Sequence, residues 1–219
     1  VEASKEENIE KVVLISTDKT VYPISVMSAT KLLCEKLILN IRLFNSETKF
    51  TCVRFGNVLK SDGSVIPLFL DQIRNGCVTI TDEGMSRFFM SLKDAVDLVL
   101  KSAVEAEGGE IFVLKMKSLM IKDLAECLIE EFSPILDKRP EDIKIKYIGA
   151  RPSEKLYEQL MSEEEIFYAQ DLGDRFVIKK NGNFKNSSKI DKSLYISKYN
   201  DKLSKEEIKK MLSEIKFLE

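Results

Sequence analysis

The chain has 219 residues, and its 34 basic and 36 acidic residues leave a formal net charge of −2. This length is enough to bury a substantial hydrophobic core, and so small a net charge gives no reason to expect a nucleic-acid partner. Hydrophobic residues make up 44% of the chain and charged residues 32%, which is typical of a folded globular protein.

Three features of the composition restrict the types of catalytic site and the cellular compartment that we expect. The chain has no histidine, which excludes histidine-based catalytic triads and zinc sites built on imidazole, so we expect no metal ion. Its cysteines are widely spaced without a C-x-x-C pair, which favours reduced thiols and a cytoplasmic protein. No apolar run approaches the roughly 18 residues of a membrane span, and the polar start of the chain does not resemble a signal peptide.

Hydrophobic periodicity predicts alternating strands and helices along the chain. The predicted strands are residues 12–16, 50–58, 78–81, 88–90, 111–114, 143–148 and 176–178. The predicted helices are residues 1–11 (the end of a helix), 25–45 with Ser25 as its N-cap, 66–74, 93–106, 121–132, 153–161 and a terminal helix capped by Ser204. Residues 181–188 are predicted to be a polar loop. This alternation predicts an α/β fold with a mainly parallel sheet.

The segment 12–31 carries the strongest functional signal. Its short apolar strand delivers Ser16, Thr17, Asp18 and Lys19 to the carboxyl end, and the helix that follows carries Met27 and Lys31. Ligands of open parallel sheets bind beyond the carboxyl ends of the strands, so an acid and two amines are expected where a substrate would lie. An arbitrary Asp-Lys pair is more often a solvated ion pair, but its position after this strand favours a functional role.

This segment resembles the extended short-chain dehydrogenase/reductases that modify nucleotide sugars, and most closely the inverting UDP-N-acetylglucosamine 4,6-dehydratases of polysaccharide biosynthesis. The superfamily's Tyr-x-x-x-Lys pair reads Met27-x-x-x-Lys31 here, a variant also found in a branch of these dehydratases.

Four further segments resemble motifs of the same family, in the same order. Residues 54–58 resemble the R-Y-G-N-V segment, which closes over nicotinamide and sugar, and residues 63–68 resemble the loop and helix start that hold the nucleotide diphosphate. Residues 86–90 resemble the T-R-F-x-M segment, whose arginine faces the diphosphate. Residues 151–158 resemble R-P-G-E-K-L-Y-E, a nucleotide-contacting segment in which Ser153 stands where the family has glycine.

The resemblance implies a role for each matching residue. Lys19 would be the base at carbon 5 of the sugar, Asp18 the acid for the departing hydroxyl, and Thr17 a hydrogen-bond donor to the oxygen on carbon 4. Lys31 would orient the cofactor ribose. A thioether cannot accept a proton, so Lys31, Thr17 or a water would replace the usual tyrosine at Met27.

The implied cofactor is NADP, with NAD as the alternative, and the residues implied to bind it are Ser16, Lys31, Phe55, Asn57 and Val58. The residues implied to bind the UDP-sugar are Asn57, Ser64, Val65, Pro67, Arg87, Arg151 and Glu154.

The glycine-rich turn that opens a dinucleotide-binding sheet is absent from this sequence. In the family this turn precedes the segment that matches residues 12–31. We therefore expect the carboxyl-terminal two-thirds of a Rossmann-like extended short-chain dehydrogenase/reductase, with a small α/β substrate-binding region. Residues 1–58 would be the rest of the Rossmann domain, 59–175 further Rossmann strands with the nucleotide-sugar subdomain, and 176–219 an extension. A truncated sequence, a split gene and a decayed gene all remain open.

Three functions are compatible with these residues. The first is a 4,6-dehydratase, incomplete in this chain and so expected to be inactive alone. The second is a UDP-sugar 4-epimerase, although epimerisation removes no proton from carbon 5 and so gives the Asp-Lys pair no task. The third is a non-catalytic interaction fragment that retains a nucleotide-sugar surface.

The superfamily also implies a homo-oligomer that uses helix 25–45, and the missing amino-terminal segment is an expected partner.

Overall fold

The computed structural model describes residues 1–40, 47–59, 61, 63–179 and 190–213. The chain divides into two compact units, each built from separated segments. The first unit comprises Val1–Gly56, Leu92–Met116 and Gln159–Ile196, and the second comprises Asn57–Ser91, Lys117–Glu158 and Ser197–Glu219. The functional division at residues 58 and 175 stays a prediction.

The strands, in chain order, are β1 (Lys11–Thr17), β2 (Lys49–Phe55), β3 (Asn57–Val58), β4 (Cys77–Ile80), β5 (Ser86–Met90), β6 (Ile111–Leu114), β7 (Ser118–Met120), β8 (Lys144–Tyr147), β9 (Ala169–Asp171) and β10 (Arg175–Ile178). The α-helices are α1 (Glu2–Glu6), α2 (Val26–Asn40), α3 (Val65–Arg74), α4 (Leu92–Glu105), α5 (Ile121–Phe132), α6 (Glu163–Ile166) and α7 (Lys205–Ser213). No helix within the described ranges is long and apolar enough to cross a membrane.

The first unit is built on a twisted sheet with the strand order β1-β2-β6-β10-β9. The strands β1, β2 and β6 are parallel, and β10 runs antiparallel to both β6 and β9. Helices α2 and α4 pack against β1 and β2. The register sets Ser16 opposite Arg54 and Thr17 opposite Phe55, so β1 and β2 end at the same edge of the sheet. The predicted α/β fold with a mainly parallel sheet is confirmed.

The second unit has smaller sheets and a helical core. Strand β5 pairs parallel with β3 and antiparallel with β7, while β4 pairs parallel with β8. Helix α5 packs against α3 and α7. The apolar faces of these helices and strand β4 contribute to one buried cluster, whose members include Ile66, Phe69, Ile73, Val78, Leu124, Leu128, Ile208 and Leu212.

The predicted helix over residues 153–161 is wrong, because this segment is irregular. Ser153 has φ = 65°, in the left-handed region that a helix cannot use. The main-chain carbonyls of Lys155 and Leu156 accept hydrogen bonds from the guanidinium of Arg87 instead of continuing a helix.

Smaller differences from the predicted elements have local causes. The predicted strand 50–58 is divided between β2 and β3, and the strands β7 and β9 and helix α6 are too short to give a periodic signal. Helix α1 ends at Glu6 rather than continuing to residue 11. The predicted loop at residues 181–188 and the end of helix 25–45 beyond Asn40 lie outside the described residues.

Candidate active site

The carboxyl end of β1 brings Thr17, Asp18 and Lys19 into contact. Strand β1 ends at Thr17, and Asp18–Thr20 forms a single 3-10 turn. The Thr17 hydroxyl donates to Oδ1 of Asp18 over 3.0 Å and accepts from the Lys19 amide over 3.4 Å. The Lys19 ammonium lies 3.1 Å from the same Oδ1 atom. A hydroxyl, a carboxylate and an amine thus meet at the edge of the sheet where ligands of such folds bind.

The carboxylate of Asp18 is fully buried, yet only one of its oxygens is hydrogen-bonded. Its Oδ2 atom has no hydrogen-bond partner among the described residues. A buried polar atom without a partner costs about 1–3 kcal/mol, so a donor from a bound ligand would be stabilised here. The side chain of Lys19 is 29% exposed, so it is partly accessible to solvent.

Helix α2 carries Met27 and Lys31 from a well-defined start. The Ser25 hydroxyl accepts from the Ser28 amide over 3.3 Å, and the Ser28 hydroxyl accepts from the Ser25 amide over 3.2 Å. This reciprocal capping fixes the first turn. On the helix that begins there, the Lys31 ammonium donates to the carbonyl oxygen of Ile15 over 3.1 Å, near the end of β1. Met27 is 52% exposed and brings no acid–base group.

A buried charge network lies beneath this turn, and sequence reasoning missed it. Ser16, an implied cofactor residue, donates its hydroxyl to Oε1 of Glu35 over 2.6 Å. Arg54 on β2 binds Glu35 and Glu165, and all three side chains are buried. Burial alone would raise the pKa of Glu165, but the charge and hydrogen bonds of Arg54 hold that pKa below its ordinary value. An arginine inside the otherwise uncharged strand 50–55 was the available signal, because a buried guanidinium requires a partner.

The start of α3 in the second unit has the features of an anion site. Gly63 has φ = 70°, and Ser64 is the N-cap in an extended conformation. The Ser64 hydroxyl is buried without a hydrogen-bond partner in the described part of the chain. The first amides of a helix have no partner within the helix, and they favour phosphate. Pro67 removes one of these donors, which leaves the amides of Val65 and Ile66 at the helix start.

The guanidinium of Arg87 binds the protein's own backbone. Its Nη1 donates to the carbonyls of Ser86 (2.8 Å) and Leu156 (3.2 Å), and its Nη2 donates to the carbonyl of Lys155 (2.6 Å). Its Nε lies 3.9 Å from Oε1 of Glu158. Arg87 therefore holds the segment of residues 155–158 in place, and its contact with a diphosphate stays a prediction.

The other residues implied to bind the substrate have few side-chain hydrogen bonds among the described residues. Arg151 is exposed, and Oε1 of Glu154 accepts from the Thr81 hydroxyl over 3.4 Å. Asn57 and Val58 form β3, opposite Phe89 and Met90 of β5. Phe55 ends β2 in the first unit, opposite Thr17. Contact of these residues with a ligand stays a prediction.

The described residues include a lysine beside the end of β1 but no glycine turn for the pyrophosphate of a dinucleotide. Lys31 lies beside the end of β1, and its contact with a cofactor ribose stays a prediction. The pyrophosphate has no glycine turn to receive it, since Gly108 and Gly109 follow the end of α4 and both have positive φ. These two glycines lie between α4 and β6 and do not begin a helix.

Comparison with known proteins gives one family match. Residues 1–180 match the family described as polysaccharide biosynthesis protein. An uncharacterised membrane protein of Methanocaldococcus jannaschii is 50% identical over 221 residues, which cover all of this chain and 66% of the relative. The capsular polysaccharide biosynthesis protein CapD of Staphylococcus aureus is 50% identical over 167 residues, which cover 75% of this chain and 27% of the relative. A UDP-glucose 4-epimerase of Rickettsia akari is 40% identical over 229 residues, covering 99% and 65% respectively.

Among solved structures, the X-ray structure of Pen from Bacillus thuringiensis superposes with a TM-score of 0.87 at 40% identity. The match covers 97% of this chain and 64% of Pen. The chain thus spans less than two thirds of the length of Pen, and at most 66% of that of the three curated relatives.

Proposed function

The chain belongs to the polysaccharide biosynthesis protein family of extended short-chain dehydrogenase/reductases, and from that premise we propose that it supplies the catalytic strand end of a UDP-N-acetylglucosamine 4,6-dehydratase. One observation carries the proposal. Lys19 contacts a buried Asp18 whose second oxygen lacks a hydrogen-bond partner among the described residues. Removal of water from a sugar needs a base and an acid, and this pair offers both.

The cofactor and this chain have separate tasks. NADP⁺, or NAD⁺ as the alternative, supplies the hydride acceptor for carbon 4 of the sugar and the hydride donor for carbon 6. We assign its nicotinamide end to Ser16, Lys31, Phe55, Asn57 and Val58. Lys31 would contribute its positive charge beside the ribose.

The base and the acid act on neighbouring carbons of the sugar. A ketone at carbon 4 acidifies the hydrogen on carbon 5, and the amine of Lys19 removes that proton. Asp18, in its protonated form, gives its proton to the hydroxyl of carbon 6, which leaves as water. Carbon 5 would then take a proton from solvent as carbon 6 is reduced. The proton held by Lys19 would return to solvent, and Asp18 would take up a proton from solvent before the next cycle.

The proton of the carbon 4 hydroxyl needs a different acceptor. Met27 cannot serve, because a thioether is not a base. We assign a hydrogen bond to the carbon 4 oxygen to the Thr17 hydroxyl, which donates to Oδ1 of Asp18 in this structure. We assign the proton acceptor to Lys31, to Thr17 or to a water between them.

The second unit carries the residues that we assign to the nucleotide. The amide of Val65 and the buried hydroxyl of Ser64 would bind the diphosphate at the start of α3. Arg87 and Arg151 would add positive charge. The remaining assigned residues are Asn57, Pro67 and Glu154.

A UDP-sugar 4-epimerase is the alternative, because relatives at 40% identity carry that name. Both reactions begin with oxidation at carbon 4, but only the dehydratase removes the proton from carbon 5. The test uses the completed enzyme, meaning this chain joined to a glycine-motif segment of its own protein or of a relative. Incubation with UDP-N-acetylglucosamine in deuterated water, followed by mass analysis, separates the outcomes. A product that has lost one water and carries one solvent deuterium supports the dehydratase, and an unchanged mass with inverted carbon 4 supports the epimerase.

A third candidate, a non-catalytic nucleotide-sugar surface, predicts binding of UDP-N-acetylglucosamine without either product.

We also propose that the completed enzyme is a homo-oligomer that uses α2, on which Leu33 and Leu37 are exposed. Exposed leucines on one helix suit an apolar contact with a second copy. A monomer by light scattering would contradict this proposal.

A further inference from the structure

Glu35 on α2 accepts hydrogen bonds from both sides of the candidate catalytic turn. Its Oε1 atom lies 2.6 Å from the Ser16 hydroxyl and 3.0 Å from the Thr20 hydroxyl. Ser16 precedes Thr17, and Thr20 follows Lys19, so the two hydroxyls bracket the residues to which we assign the chemistry. The Thr20 hydroxyl also lies 2.8 Å from the carbonyl oxygen of Thr17, so its one proton is shared between that oxygen and Oε1 of Glu35. One buried carboxylate oxygen therefore holds both ends of the turn.

Arg54 in turn fixes the orientation of Glu35. Its Nε lies 3.2 Å from Oε1 of Glu35 and its Nη2 lies 2.7 Å from Oε2, a bidentate pairing. On its other side the guanidinium binds both oxygens of Glu165 and the carbonyl of Leu160. The Glu35 side chain is thus clamped by strand β2 and cannot rotate without breaking buried charged hydrogen bonds.

We propose that Glu35, oriented by Arg54, is a positioning residue that sets the geometry of Thr17, Asp18 and Lys19; this inference rests on the proposed function. If Glu35 served only to neutralise a buried charge, pairing with Arg54 would be enough. Here the same carboxylate also takes the hydroxyls of Ser16 and Thr20. Catalytic groups must be held within a fraction of an ångström to act, so this link affects turnover more than binding.

The sharpest variant removes the link and leaves the charges in place. Thr20→Val keeps the shape of the side chain but deletes the hydroxyl that lies between Glu35 and the carbonyl oxygen of Thr17. Thr51→Val is the matched control, because Thr51 is also a fully buried threonine of the first unit. Its hydroxyl donates to the carbonyl of Glu110 over 2.8 Å, not to the turn. Glu35→Gln is a second variant that weakens the acceptor without a large change in volume.

The first readout needs only the chain itself. Amide hydrogen exchange at residues 18–21 is expected to rise about fivefold to tenfold in Thr20→Val, the worth of one buried hydrogen bond, and to stay unchanged in Thr51→Val. Glu35→Gln should raise exchange in the same residues. Equal exchange of these amides in Thr20→Val and Thr51→Val would overturn the positioning role.

The second readout uses the completed enzyme. Thr20→Val should lower kcat about tenfold while the KM for the UDP-sugar changes less than about twofold, because the loss falls on the geometry of the reacting groups. Incorporation of solvent deuterium at carbon 5 should fall in parallel. Equal kcat in the two threonine variants would overturn the inference. A wild-type enzyme without deuterium at carbon 5 would contradict the proposed chemistry instead, while the exchange contrast would still support the hold on the turn.

Discussion

The ammonium of Lys19 lies 3.1 Å from Oδ1 of Asp18, a carboxylate that is wholly buried. The pair is presented by the end of a parallel strand and a single 3-10 turn. By contrast, the carboxylate of Glu35, which is paired with Arg54, accepts a further hydrogen bond from Ser16. Asp18 keeps one oxygen without a hydrogen-bond partner among the described residues, which suits an acid that meets a ligand.

The chain alone should bind NADP⁺ weakly. The glycine turn, whose amides would receive the pyrophosphate, is absent from the sequence, and no other motif replaces it. Calorimetry on residues 1–219 should detect no micromolar binding, whereas the completed enzyme should bind. A micromolar affinity of the isolated chain would show that the assigned cofactor site is wrong.

Lys19→Ala should lower the turnover of the completed enzyme by about 10²–10⁴, the usual worth of a positioned general base. The affinity for the UDP-sugar should change little, because the lost amine acts in the transition state. Lys93→Ala removes an exposed ion pair with Asp97 and serves as the control, with turnover unchanged. Near-normal turnover and normal deuterium exchange in Lys19→Ala would place the base elsewhere.

Met27→Ala should be tolerated better than Lys31→Ala. The first change removes packing from a half-exposed side chain, whereas the second removes a charge beside the end of β1. Formation of reduced cofactor in a single turnover, followed by absorbance, measures the oxidation of carbon 4 directly. Met27→Tyr should keep or increase this signal, because a phenol can relay the proton. A folded, cofactor-bound Met27→Ala variant as inactive as Lys31→Ala would give Met27 a role of its own.

Ser153→Gly should stabilise the protein relative to Ser153→Ala. Both variants lose the hydroxyl, but only glycine adopts φ = 65° without strain. The expected difference in the free energy of unfolding is about 1 kcal/mol, the usual cost of a left-handed conformation. Urea denaturation of the two variants measures it. Equal midpoints and slopes would mean that the left-handed conformation at residue 153 carries no strain.

The sequence was most informative where local pattern decides structure. The β-branched run before Thr17 predicted β1, and the capping serine at residue 25 predicted the start of α2. It was least informative where distant residues decide. Arg54 is bound by Glu35 and Glu165, which are 19 and 111 residues away in the chain, and no periodicity reports such a partnership. The helix predicted over residues 153–161 failed because Arg87, far away in sequence, binds its carbonyls.

The position of deuterium in the product tests the central claim most directly. The completed enzyme is incubated with UDP-N-acetylglucosamine in deuterated water, and the product is examined by proton NMR and mass spectrometry. The proposed chemistry predicts a 4-keto-6-deoxy sugar that carries solvent deuterium at carbon 5, and loss of that label in Lys19→Ala. A product that retains the original hydrogen at carbon 5 and the hydroxyl at carbon 6 would contradict the role assigned to Asp18 and Lys19.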